Sequence, residues 1–303
     1  MKYYLIAGEN SGDLHGSKII RHLTEIDDQA EFRFCGGDLM LEENQEICTH
    51  IKEMNFMGFV EVVLNIRTIK AQINKVKKDI QAYQPDALIL IDYPGFNLRI
   101  SKFAHSLGIK VHYYISPKVW AWKASRIEQI KKWVHKLYLI LPFEKAYFKK
   151  QGYDAQYVGN PLLDAIADFQ KSQKNEIQSD DKILALLPGS RKMEVTKILP
   201  IMLEAAKKIN HIKIVVAGVS SLPHAYYEDA VKVGCEVIYD NTYQLLTQAH
   251  VALVTSGTAT LETALFHVPQ IVCYKANPLT VMIAKTLVKI KFISLVNLIM
   301  NKE

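Results

Sequence analysis

The chain has 303 residues, 49% hydrophobic and 22% charged, with a formal charge of +6 and a pI near 8.9. That length supports two domains with their own cores, and the composition excludes a disordered or fibrous chain. The lysines are spread out and aromatic residues are not interleaved with them on a strand face, which argues against nucleic acid and for an anionic small molecule or an acidic membrane surface.

Cys35, Cys48, Cys235 and Cys273 show no C-x-x-C spacing and read as reduced thiols of a cytoplasmic protein. The apolar start Tyr3 to Ala7 is too short for a signal peptide. The late apolar stretch from Leu279 to Met300 is broken by Lys285, Lys289 and Lys291, so no membrane span is expected.

Lys2 to Ala7 predicts a first strand, Gly8 to Gly16 a polar glycine-rich loop, and Ile19, Ile20 and Leu23 a helix after it. The loop lacks G-x-G-x-x-G, so it is no dinucleotide fingerprint. It does set Glu9, Ser11 and Asp13 at a strand's carboxyl end, where open α/β sheets hold ligands; a solvated turn is the alternative. Glu31 to Cys35 reads as a second strand. Phe56 to Leu64 is apolar on too many sides for one helix face, and Lys70, Lys75, Lys77 and Lys78 follow it. An apolar wedge beside a basic collar suits anionic lipid or an acyl chain, and a core helix with a solvated face is the competing account.

Asp86 to Asp92 is a continuous apolar strand of the kind buried in a parallel sheet, running into Tyr93-Pro94-Gly95-Phe96-Asn97. Asp92 at its carboxyl end is either a general base or the N-cap of the helix from Phe96. Ile109 to Ile115 is another strand, and Trp120 and Trp122 in the next loop suggest a cleft wall or a domain contact. A helix on Ile127, Ile130 and Val134, a strand from Leu137 to Leu141 and a helix opened by Pro142 complete the first half.

A polar stretch from Asp164 to Asp181 reads as a linker between a domain of residues 1–163 and one of 182–303. The second half repeats the alternation, with strands at Ile183 to Leu187, Ile212 to Ala217, Glu236 to Tyr239, Val251 to Thr255 and Gln270 to Tyr274. Two such runs predict two facing, doubly wound α/β domains with the site in the cleft between them. Within the second, Gly189-Ser190-Arg191 and Ser256-Gly257-Thr258 each join a strand to a helix, which aims backbone N–H groups at an anion. Arg191 can grip two phosphate oxygens, and Glu262 can accept both hydroxyls of a ribose. Taken together, the two turns point to a nucleotide diphosphate; either alone is also an ordinary strand-to-helix turn.

Six motifs in chain order, Ala7 to Asp13, Met57 to Val62, Ile91 to Asn97, Ser116 to Trp122, Leu187 to Arg191 and Ser256 to Glu262, resemble those of the lipid-A-disaccharide synthases. The resemblance implies a GT-B fold of two Rossmann-like domains and an inverting transfer. The donor is UDP-2,3-diacylglucosamine, the acceptor 2,3-diacylglucosamine 1-phosphate, and the product a β-1,6 disaccharide. It further implies Asp92 as the base, with Gly189, Ser190, Arg191, Ser256, Gly257, Thr258, Glu262 and Asn297 on the donor. Glu9, Ser11, Gly12 and Asp13 fall on the acceptor side, and Phe56, Met57, Phe59, Val60, Val63 and Leu64 on acyl chains or membrane. The diphosphate charge is carried by Arg191 and the two turns, so no metal or cofactor is expected. Peripheral attachment to the inner face of an inner membrane follows, and a homo-oligomer stays open. Three departures accompany the match. Gly95 stands where an acid is common, Asn160 where histidine is common, and family chains run on past Glu303. A silent nucleotide-binding fragment and another UDP-sugar enzyme of the same fold are therefore the alternatives.

Overall fold

The computed structural model describes residues 1–44, 46–54, 65–121, 124–172, 182–275, 292 and 294–302. The chain divides into two compact units, Met1–Gly159 and Asn160–Glu303.

In the first unit seven strands, β1 (Lys2–Ala7), β2 (Glu31–Gly36), β3 (Ile47–His50), β4 (Ala87–Ile91), β5 (Lys110–Tyr114), β6 (Lys136–Leu139) and β7 (Gln156–Tyr157), pair in parallel. Their order is β3-β2-β1-β4-β5-β6-β7. Alternate side chains of β1 feed two cores: Leu5 and Ala7 join Ile20, Phe34 and Met40 on one face, while Tyr4 and Ile6 join Val76, Ile80, Ile100 and Ala104 on the other. That two-residue period is why each strand reads as a nearly unbroken apolar run. The chain steps outward from β1 to β2 and β3, then returns to β4 on the opposite side of β1, so the sheet's reversal point lies between β1 and β4.

The second unit repeats this arrangement with β8 (Ile183–Leu187), β9 (Lys213–Gly218), β10 (Glu236–Tyr239), β11 (Ala249–Thr255) and β12 (Gln270–Cys273) in the order β10-β9-β8-β11-β12, all parallel. Its reversal point lies between β8 and β11. Leu184 and Leu186 pack under the apolar stripe Val195, Ile198, Leu199, Met202 and Leu203 of helix Lys192–Ala206. Ile183, Ala185 and Leu187 face the opposite core.

The structure differs from the sequence reading in three places. β3, β7 and helix Asp38–Glu43 are additions, each too short to show a period of its own. The polar stretch is not all linker: helix Pro161–Ser172 takes in residues 164–172 and buries Ile166, and the units meet at Gly159/Asn160. Residues 173–181 lie outside the described residues. Finally, the glycine-rich loop after β1 is mostly helix, which begins at Asn10 and runs to Ile26. Its glycines serve close packing rather than a turn: a Cβ on Gly12 would sit 3.2 Å from that of Ala7, and one on Gly16 only 2.4 Å from the Met40 sulfur. Among the described residues no helix is long and apolar enough to cross a membrane.

Candidate active site

In the first unit the reversal point brings together the carboxyl ends of β1, β4 and β5, which carry Glu9, Asp92 and Lys118. Ala7 pairs with Ile91 and Ile91 with Tyr114, so these ends lie level. Asp92 and Tyr93 both have left-handed backbones, φ +43° and +48°, and turn the chain from β4 into helix Pro94–Ser106. Strain of this kind persists only where neighbours enforce it. Here the Asp92 amide donates to the Tyr114 carbonyl at 3.0 Å. The Asp92 carbonyl accepts from the Tyr113 hydroxyl at 2.5 Å and from Asn97 Nδ2 at 2.7 Å. Gly8 makes room for the elbow, since a Cβ there would fall 2.2 Å from the Tyr93 ring.

This geometry excludes the cap reading of Asp92. The helix is capped at Tyr93, with no side-chain cap bond, so Asp92 is not its cap. Burial pushes the Asp92 carboxyl up to about 6, with Lys118 and the Tyr93 amide opposing and Glu9 assisting. A carboxylate held there is ionised near neutrality yet basic enough to take a proton.

The residues expected beside it divide. Glu9 is the half-buried N-cap of helix Asn10–Ile26, and its charge reaches Asp92. Ser11 is exposed in the first turn, while Gly12 is buried against Ala7. Asp13 faces inward. Its buried carboxylate accepts from the backbone N–H groups of Gly37, Leu39 and Met40 at 2.6, 3.1 and 3.2 Å. It therefore anchors helix Asp38–Glu43 instead of lining a ligand site, and the acceptor-side reading of Asp13 and Gly12 is corrected to a packing role. Trp120 stands edge-on to Phe143 and donates to the buried Glu144 at 3.0 Å. Trp122 and the segment holding Phe56, Met57, Phe59, Val60, Val63 and Leu64 lie outside the described residues.

In the second unit the two turns follow β8 and β11, the neighbours at its reversal point. Gly189 has φ +106°, a conformation strained for any side chain, and a Cβ there would lie 2.9 Å from Glu194 Cβ and against Glu194 Oε2. That same oxygen accepts from the Ser190 and Arg191 amides, both at 3.2 Å, and the Arg191 guanidinium pairs with Glu194 Oε1 at 3.2 Å. A carboxylate thus already sits on the amides expected to hold phosphate, as part of the capping box that closes the first turn of helix Lys192–Ala206. The Arg191 side chain is 57% exposed and able to turn outward. After β11, Gly257 and Thr258 are exposed and lead into the short helix Ala259–Leu265. The Ser256 amide donates to the Cys273 carbonyl at 3.0 Å. Asn297 sits in helix Leu295–Met300 and donates to the Lys302 carbonyl at 2.8 Å, closing that helix end.

Glu262 lines a pocket of about 350 Å³ together with Phe169, Asp240, Asn241 and Tyr243, a size suited to a nucleoside. Burial raises the Glu262 carboxyl, opposed by a 3.1 Å hydrogen bond from the Tyr243 hydroxyl. Phe169 stands edge-on to Tyr243 and Phe266. Sequence reasoning missed this wall because its members come from three separate segments. The only clue was position, since Asp240 and Asn241 directly follow a strand, as do Pro188-Gly189 and Ser256. Among the described residues no group of three or more His, Cys, Asp or Glu side chains could hold a metal.

A family model described as lipid-A-disaccharide synthetase matches residues 3–303. The lipid-A-disaccharide synthase of Syntrophus aciditrophicus is 36% identical over 98% of this chain and 81% of its own length. That of Trichlorobacter lovleyi is 37% identical over 97% and 80%, and that of Coxiella burnetii 35% identical over 97% and 81%. Among solved structures, the UDP-GlcNAc 2-epimerase of Neisseria meningitidis bound to UDP-GlcNAc superposes with a TM-score of 0.67 at 16% identity, covering 99% of this chain and 90% of that one. The Methanocaldococcus jannaschii enzyme in complex with UDP-GlcNAc and UDP gives 0.62 at 17% identity, covering 90% and 83%. At such identities the likeness establishes the fold, two parallel-sheet α/β domains of GT-B type.

Proposed function

The chain belongs to the lipid-A-disaccharide synthetase family, and from that premise we propose that it transfers 2,3-diacylglucosamine from its UDP donor to the 6-hydroxyl of 2,3-diacylglucosamine 1-phosphate. Asp92 takes the proton of that hydroxyl as its oxygen attacks the anomeric carbon. The bond from that carbon to the diphosphate oxygen breaks on the opposite face, which inverts the configuration and releases UDP. The observation that carries this reading is Asp92 itself, a carboxylate raised by burial to about 6 on a clamped elbow at the sheet's reversal point.

The donor falls to the second unit. Arg191 and the Ser190 and Arg191 amides suit the diphosphate, once Glu194 gives way or shares them. Glu262 suits the ribose hydroxyls and the pocket walled by Tyr243 and Asn241 suits the base. With the guanidinium and amides stabilising the leaving charge, the transfer needs no metal. Because both substrates carry acyl chains, the enzyme works at an anionic membrane surface as a peripheral protein, and the basic balance of the chain favours that attachment.

The test is UDP release from the acylated donor and acceptor. The unaltered chain is expected to release UDP at a rate that Asp92→Asn lowers by a factor of about 100 or more. Undiminished release by the variant removes the base assignment. Turnover of unacylated UDP-N-acetylglucosamine without an acceptor points instead to an epimerase.

A further inference from the structure

Three helices of the first unit, Ile66–Tyr83, Pro94–Ser106 and Arg126–Trp133, enclose a groove of about 480 Å³ that the reaction above does not use. Its floor is apolar, built from Ile69, Ile73, Leu98 and Trp133. Its rim carries four cations, Lys70, Lys77, Arg99 and Lys102, and among the described residues no carboxylate lines it.

None of the four cations forms an ion pair among the described residues. Two of them rest on aromatic faces, Lys77 at 5.3 Å from the Phe103 ring centre and Lys102 at 5.6 Å from that of Trp133. Such contacts hold an ammonium in place without cancelling its charge. The first helix also presents Ile66, 60% exposed, at the end of the groove.

The combination specifies an amphiphile. A small anion would satisfy the rim and leave the floor wet, and an acyl chain alone would leave four cations facing no counter-charge. We propose that this groove receives the headgroup of an anionic glycerophospholipid in a bilayer, with the rim cations on its phosphate and Trp133 at the boundary of headgroup and acyl chains. The first unit then rests on the membrane by this face. The proposal builds on the peripheral-membrane reading above and assigns that attachment to particular residues.

Sedimentation of the full chain with vesicles tests it, using phosphatidylcholine alone and an equimolar phosphatidylcholine–phosphatidylglycerol mixture. The unaltered chain should bind the anionic vesicles. Paired Lys77→Glu and Lys102→Glu changes should lower its partition by about tenfold or more, whereas Lys149→Glu with Lys150→Glu, a same-charge control on helix Pro142–Lys150, should lower it by less than about threefold. In the unaltered chain, brominated lipid should quench tryptophan emission, and Trp133→Phe should remove that quenching.

Equal losses from the groove and control pairs overturn the groove, since attraction is then diffuse. Quenching that persists in Trp133→Phe does the same. Release of the chain from vesicles by millimolar inorganic phosphate, with a matching Trp133 shift when no lipid is present, assigns the rim to free anions and overturns the lipid. If the unaltered chain binds neither vesicle, the membrane reading itself fails, and the groove proposal falls with it.

Discussion

Asp92 is held by its main chain and, in the proposed transfer, used through its side chain, and that division predicts opposite effects on activity and stability. Its folded pKa of about 6 lies above the ordinary carboxylate value because burial penalises the charge. The folded state therefore binds more protons than the unfolded chain between about pH 4 and pH 6, and stability falls as pH rises through that interval. Above pH 6 the ionised carboxyl costs roughly 2–3 kcal/mol. Asparagine tolerates the left-handed backbone and carries no charge, so Asp92→Asn should raise the melting temperature at pH 7.5, and the gain should vanish near pH 4. In the unaltered enzyme kcat/KM should fall about tenfold per pH unit below pH 6, as the base becomes protonated. Thermal unfolding and pH–rate profiles check the two halves separately.

At the scale of elements, the sheet of the first unit is tied to helix Ile66–Tyr83 by one polar network. The Tyr4 hydroxyl donates to Asp79 Oδ2 at 2.7 Å, and Arg33 pairs with the same carboxylate at 2.7 Å. Burial pushes Asp79 up, but the hydrogen bonds from Arg33 and Tyr4 outweigh it and leave the carboxyl below its ordinary range. Tyr4→Phe should cost about 1–2 kcal/mol in urea unfolding, because Asp79 loses one of two strong donors. None of these contacts was legible in the chain, whose pattern reports which face is apolar but not which polar groups meet across it. Strands such as Ala87–Ile91 and Ile183–Leu187 were legible because two-sided burial writes itself as an apolar run. The stretch after β1 misled for the converse reason. Glycine marks both a turn and a close approach, and only the facing side chains, Ala7 and Met40, tell which. Asp92 and the turn at Gly189 could be singled out as candidates because strand ends are where such sheets bind ligands. The wall of Tyr243 and Phe169 could not, since its members are far apart in sequence.

At the scale of the molecule, each unit carries its candidate site residues on loops at the reversal point of a parallel sheet, and the ladders beneath are independent of those loops. Solved structures 11–17% identical to this chain superpose on it, as expected when the scaffold asks only for apolar strands. If the donor belongs to the second unit, UDP at a hundredfold excess over its Kd stabilises that unit by about 2.7 kcal/mol. Hydrogen exchange of the β8 and β11 amides should then slow about a hundredfold. Unchanged exchange in those strands would remove the donor assignment.

The clamp on Asp92 has one more consequence. Its amide is taken by Tyr114 and its carbonyl by Tyr113 and Asn97, so the bonds that hold its own peptide groups do not pass through the carboxyl group. Asp92→Gly leaves that main chain relaxed and opens a hole the size of a small organic acid. Formate added to the assay should diffuse into the vacancy and restore measurable turnover to the glycine variant, and should do nothing for Asp92→Asn, whose amide plugs the gap.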